Sequence, residues 1–216
     1  IVVDTKMRII VVLMPKIRGA DLPTYNAEQL EEKQNLVEWS DKHRHLPDSS
    51  SMPGKWLTSR VEAARQPMLS ITAPDVQEVT IMCATGIMKT EVMVNAALYY
   101  MDQHPSLITY VARNEEAAKS WFEEQFTKSA LATEVTRTLF SADQNIEGSS
   151  TLQKKFPGGQ ISIVQAKKLA DLSAPPSQIM LFDDCDHYPL VIGPRSECET
   201  DPIQACWDRV TDAYRL

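Results

Sequence analysis

Ile179, Met180, Leu181 and Phe182 run without a break into the carboxylates of Asp183 and Asp184. A strand with one solvated face alternates apolar and polar residues. An unbroken apolar run therefore belongs to a strand covered on both faces, as in a parallel sheet with helices on each side. Residues 107–112 carry the same nearly all-apolar signature, whereas 76–82 alternate and set Val79 and Ile81 on one face. Residues 89–101 form an apolar helical stretch that His104-Pro105 ends. A second helix spans 115–128, with Asn114 as its N-cap. Thr151-Leu152 and residues 161–164 flank Phe156-Pro157-Gly158-Gly159-Gln160 like the arms of a hairpin. Strands alternating with helices in this way imply an α/β fold with a mostly parallel sheet.

The first third of the chain reads differently. Residues 27–43 have the pattern of a charged helix interrupted by Leu36, Val37 and Trp39. The turn-rich loop 47–54 follows and delivers Lys55-Trp56, then a shorter helix that Pro67 should end or kink. Residues 1–25 are an apolar and basic arm closing on Leu22-Pro23, and nothing in them identifies a packing partner. Their apolar run, 9–14, is a strand or a helix face, far short of the ~20 residues a membrane helix needs. At 216 residues and a net charge of −7, the chain is long enough for one sizeable domain and too acidic for a dedicated DNA-binding module. A machine that grips DNA locally, or through another subunit, remains compatible with that charge. The four cysteines show no CxxC pair, which suits a reduced compartment, and Cys185, His187, Cys198 and Cys206 match no common zinc spacing.

Two segments carry chemistry. Cys83-Ala84-Thr85-Gly86-Ile87-Met88-Lys89-Thr90 lies between a strand and a helix. Such a unit aims backbone N–H groups and the positive helix end at phosphate oxygens. Ala84, Thr85, Gly86, Ile87 and Met88 would form the cradle. Lys89 would reach the β- and γ-phosphates, and the Thr90 hydroxyl would bind Mg²⁺. Cys83 and Met88 stand where such loops have glycine, and Met88 is expected to press on the phosphates or force another backbone path. The second segment is 179–184, which has the Walker B layout: Asp183 suits a metal ligand and Asp184 the polarising of an attacking water. Asp184 is one methylene shorter than the usual glutamate, which leaves its carboxylate roughly 1 Å short of that water. Asp183, Asp184 and Asp186 would also suit a two-metal nuclease, but their place after a buried strand, matched to an upstream Lys-Thr pair, favours a P-loop nucleoside triphosphatase.

Further stretches point to a family. Val37-Glu38-Trp39-Ser40-Asp41-Lys42-His43-Arg44-His45-Leu46-Pro47, then Ser49-Ser50-Ser51 and Pro53-Gly54-Lys55-Trp56, resemble the opening of lambda-type (GpA-like) phage terminase large subunits. Phe156-Pro157-Gly158-Gly159-Gln160 with 161–164 is similar to that family's hairpin, and Phe182-Asp183-Asp184-Cys185-Asp186-His187-Tyr188-Pro189 to its acidic segment. The resemblance runs from about residue 27 to residue 214. It implies a RecA-like ATPase core using ATP and Mg²⁺ in the host cytoplasm to drive double-stranded viral DNA into a capsid. A terminase small subunit, the capsid portal and further copies of the chain would be its partners. Residues 26–216 would be a partial ATPase domain, its core preceded by a helical N-terminal segment and truncated before the later strands and the nuclease domain of full-length members, with residues 1–25 an arm of unknown role. Matched position by position, Lys89 and Asp184 are the catalytic candidates, Thr90 and Asp183 the metal ligands. Ala63 stands in the slot of an aromatic that contacts adenine, Gly86 where a Gln or Arg is preferred, and Ala174-Pro175-Pro176 where a basic residue precedes the acids, with Lys167-Lys168 upstream of them.

Two other readings stay open. Met88 and Asp184 could make this a catalytically inactive nucleotide-binding or assembly module of a packaging complex, and a helicase fragment is the third option. Trp39, Trp56, Trp121 and Trp207 read as packing residues rather than base-stacking platforms, and His43-Arg44-His45 and Lys154-Lys155 as solvated basic faces.

Overall fold

A computed structural model describes residues 6–13, 34–84, 86–141, 153–167, 172, 177–192 and 201–206. In chain order the elements are β1 (Lys6–Leu13), α1 (Leu36–His43), β2 (His45–Leu46), β3 (Gly54–Lys55), α2 (Arg65–Thr72), β4 (Glu78–Ala84) and α3 (Lys89–Gln103). They continue with β5 (Leu107–Ala112), α4 (Glu115–Ser120), a π-helical stretch (Trp121–Thr127), α5 (Lys128–Ala132), α6 (Glu134–Ser141), β6 (Gln153–Phe156), β7 (Gly159–Gln165) and β8 (Ile179–Phe182). Among the described residues, six strands form one sheet in the order β4-β1-β8-β5-β7-β6. Strands β4, β8, β5 and β7 share one direction, while β1 and β6 run against it.

The unbroken apolar run of β8 is buried on both sides, as its sequence demands. Ile179 and Leu181 enter the large core beneath the helices, and Met180 and Phe182 enter a second, smaller core on the opposite face. Strand β5 divides in the same way, with Ile108 and Tyr110 on one side and Val111 on the other. The alternating strand β4 lies at the sheet edge and buries Val79 and Ile81 while Met82 is exposed. Residues 6–13 of the arm join the sheet as β1, between β4 and β8, with Ile9 paired to Ile81 and Val11 to Leu181.

Helix α1 starts later than its charge pattern suggests. Asn35 is its N-cap, accepting from the Glu38 amide at 3.0 Å while Glu38 accepts from the Asn35 amide at 3.2 Å. This reciprocal capping box sets the start at Leu36. Residues 27–33 lie outside the described residues. Pro67 neither ends nor kinks a helix. It is the third residue of α2, where an amide has no acceptor within the helix, so a residue without N–H is tolerated. The helix expected over 115–128 begins at its Asn114 cap, whose side chain accepts from Ala117 N at 2.8 Å, and widens into the π-helical stretch. There Trp121 stacks on Tyr110 with ring centroids 3.8 Å apart, and Phe126 lies against Trp121 at 5.3 Å.

Trp39, Trp56 and Trp121 are all buried, as packing residues should be; Trp207 lies outside the described residues. The basic cluster 43–45 is not a solvated face. His45 is exposed, but Arg44 is fully buried and is among the largest enclosed side chains of the core. Its guanidinium donates to Asn95 Oδ1 at 2.9 Å, Ser129 Oγ at 2.9 Å, Glu91 Oε2 at 3.1 Å and the His45 carbonyl. Lys154 is half-buried, its ammonium 4.9 Å from the centre of the Phe140 ring. The hairpin forms as expected through Pro157-Gly158, with its first arm at 153–156; residues 151–152 lie outside the described residues. Gly158 has φ +82, a left-handed turn position that favours glycine.

Candidate active site

Because β4, β8 and β5 are parallel, their carboxyl ends open at one edge of the sheet, where α/β sheets hold their ligands. Three loops meet there. The loop after β4 turns into α3, Asp183 and Asp184 follow β8, and Arg113 follows β5. One strand, β1, separates β4 from β8, which sets their axes about 10 Å apart. Long side chains span that interval.

Lys89 is the first residue of α3, and its side chain is 6% exposed. Among the described residues its ammonium has no hydrogen-bond partner and lies 3.7 Å from Asp184 Oδ1. A buried ammonium lacking acceptors is held at a disadvantage that an incoming anion relieves. Arg113 Nη1 lies 4.0 Å from the other Asp184 oxygen, so one carboxylate is shared by two cations. Asp184 has φ 51 and is the one described non-glycine residue with a left-handed backbone. Such strain persists only where its surroundings over-determine it, and it gathers at functional positions.

Asp183 is fixed from below. Its amide donates to the Val111 carbonyl at 3.1 Å, and its Oδ2 accepts from the Tyr110 hydroxyl at 2.7 Å. Burial raises the Asp183 pKa above the ordinary aspartate value, and the Asp184 charge adds to this. The Tyr110 hydrogen bond and the Lys89 charge oppose the rise. Burial, reinforced by Asp183, in turn pushes the Tyr110 phenol well above its ordinary range.

The cradle residues behave unevenly. Ala84, Gly86 and Ile87 are exposed, Ile87 at 52%, and Thr90 is half-buried in the first turn of α3; Thr85 lies outside the described residues. Gly86 has φ +78, which a side chain would strain, so glycine suits this turn. Met88 does not press toward the strand edge. It is 9% exposed and belongs to the large core, with φ −165, an extended value open to any residue. The side chain is drawn into apolar packing beneath the helix.

The structure thus brings Lys89 and Asp184 together and sets Asp183 beside them. Ala63 and Asp186 are exposed, and 168 and 174–176 lie outside the described residues. Tyr110 and Arg113 were not singled out from the sequence. A position just past a buried strand marked Arg113, but nothing distinguishes Tyr110 from other apolar-strand aromatics. The opening motif proves to be scaffold: Trp39 Nε1 donates to Asp102 at 2.8 Å, and Asp41 accepts from the Thr58 amide at 2.6 Å.

The raised Asp183 pKa has a measurable consequence. The folded protein holds the Asp183 proton more tightly than the unfolded chain, so stability present below the ordinary aspartate pKa is lost as pH rises through the folded value. Asp183→Asn, which cannot ionise and can still accept from Tyr110, is expected to raise Tm at pH 7–8. Each kcal/mol gained corresponds to about 2–4 °C for a chain of this size. The gain should vanish in acid, a pattern calorimetry at several pH values would reveal.

Residues 50–215 match the family model described as phage terminase large subunit gpA, ATPase domain. Neither a curated protein nor a solved structure matches the chain. With the larger part of its length matched and the acidic strand end inside the match, the chain belongs to the phage terminase large subunit gpA ATPase domain family.

Proposed function

We propose that this chain is the ATP-hydrolysing, RecA-like P-loop core of a motor that moves double-stranded viral DNA into a capsid. The observation that carries the reading is Lys89: a buried ammonium without a hydrogen-bond acceptor among the described residues, at the head of a 15-residue helix, 3.7 Å from a carboxylate at a parallel strand's end. Ala84, Thr85, Gly86, Ile87 and Met88 form the cradle, whose backbone N–H groups and helix end favour phosphate. Lys89 binds the β- and γ-phosphate oxygens. Asp184 orients the attacking water and takes up its proton. Thr90 and Asp183 supply hard oxygen donors, the set that suits Mg²⁺. Mg²⁺ there would neutralise charge shared between the β- and γ-oxygens. Tyr110 keeps the Asp183 carboxylate in place and favours its ionised form.

The partners proposed for the motor are those such a family suggests: viral DNA, a small subunit, a portal and further copies of the chain, in the host cytoplasm. No described helix is long and apolar enough to cross a membrane.

Calorimetric titration with MgATP tests the reading, run on the parent chain and on Met88→Gly. The parent should bind. Met88→Gly should gain no affinity and lose about 2–5 kcal/mol of stability, since it deletes a buried side chain. A silent parent beside a binding Met88→Gly would favour the inactive-module reading, in which one side chain blocks an otherwise intact cradle.

A further inference from the structure

We propose that Arg113 contacts the terminal phosphate of the bound nucleotide and stabilises the charge that develops on it. This rests on the nucleotide site proposed above. The residue follows β5 and precedes Asn114, the cap of α4, so two regular elements hold its backbone. Strand β5 pairs directly with β8, Val111 opposite Phe182, which sets Arg113 beside the two acids.

Its side chain divides into an anchored part and an open one. Nε is buried and has no hydrogen-bond partner among the described residues, while the side chain as a whole is 42% exposed. Nη1 lies 4.0 Å from Asp184 Oδ2, an ion-pair distance beyond that of a hydrogen bond. The guanidinium therefore faces the site with its donors largely uncommitted. Its planar fork matches phosphate oxygens two at a time, which the Lys89 ammonium cannot do. Lys89 and Arg113 approach opposite oxygens of Asp184, so a phosphate entering beside that carboxylate meets a cation on each flank.

In the reaction, the water oxygen bonds to the γ-phosphorus as the bond to the β–γ bridging oxygen breaks. The electron pair of that bond leaves with ADP, and the water's proton passes to Asp184 and on to solvent. Negative charge spreads over the three remaining γ-oxygens, and Arg113 offsets it there.

The test compares the full chain with Arg113→Ala and Arg113→Lys, measuring the affinities of MgADP and of a non-hydrolysable MgATP analogue alongside kcat and KM. Arg113→Ala should leave MgADP affinity within about twofold, weaken the triphosphate analogue about tenfold or more, and lower kcat by about 10³-fold. Arg113→Lys should recover part of the charge effect but not the two-point contact. If Arg113 only positions Asp184, kcat falls while the ratio of triphosphate to diphosphate affinity stays at the parent's value, and the proposal is overturned. Equal loss of both affinities overturns it too, since the terminal phosphate would then not be the group contacted. A parent chain that binds neither nucleotide removes the site itself and this proposal with it.

Discussion

Lys89→Ala is expected to lower ATP turnover by about 10²–10³-fold, the loss typical of removing a preorganised charge from a transition state. Two effects combine. The direct one is loss of the cation proposed to meet the β- and γ-phosphates. The indirect one passes through Asp183, whose pKa the Lys89 charge helps to hold down. Without that charge the Asp183 pKa rises further, and a protonated carboxyl is a poor Mg²⁺ ligand. Turnover of the variant should therefore recover partly at higher pH, whereas loss of the phosphate contact alone would be insensitive to pH. Folding gives a clean control. The ammonium is buried without a hydrogen-bond partner among the described residues, which favours its removal, while loss of the ion pair with Asp184 opposes it, so the net change in Tm should be small. Loss of activity together with a large fall in Tm would contradict this account.

Arg44→Ala should have the largest effect on stability, about 3 kcal/mol or more. The guanidinium donates to Asn95, Ser129, Glu91 and the His45 carbonyl, and its truncation leaves several of these without a donor in the interior. Glu91 is 41% exposed and can turn to water, which places the loss toward the lower end of the range for broken buried pairs. Burial lowers the Arg44 pKa to about 10, so the residue stays charged at neutral pH and the ionic contact with Glu91 persists. Arg44→Lys should recover little, because one ammonium cannot reproduce the fork that joins α1's end to α3 and α5. Glu91 belongs to the same first turn as Lys89, so nucleotide affinity should fall before the fold fails. Urea unfolding at fixed pH, with nucleotide binding measured in parallel, checks both parts.

How far these features could be read in advance depends on the range of the contacts involved. Strands β5 and β8 matched their sequence bounds because an apolar run buried on both faces is a local signal, and so was the Asn114 cap. Arg44 misled because its neighbours His43 and His45 suggest a wet surface, while its partners Glu91, Asn95 and Ser129 come from distant helices. Met88 is a different case: its position is one that glycine usually fills, yet the backbone there needs no left-handed φ and the side chain has a core to enter. The meeting of Lys89 with Asp184 followed from placing both at the ends of parallel strands. The part played by Tyr110 did not, since a hydroxyl within an apolar strand declares no partner.

The placement of β1 bears on the order in which this molecule can be made. It is the earliest of the described strands in the chain, yet both its neighbours, β4 and β8, come later, and β8 is the last of the described strands. During synthesis its N–H and C=O groups must wait for the loop after β7 to be completed before both edges are paired. Contacts of such separation close slowly, because the intervening chain has to be ordered first. The lysine and the two aspartates are consequently brought together only once β8 has been made, and a ribosome-bound chain lacking Phe182 would not hold this arrangement however well its helices had formed.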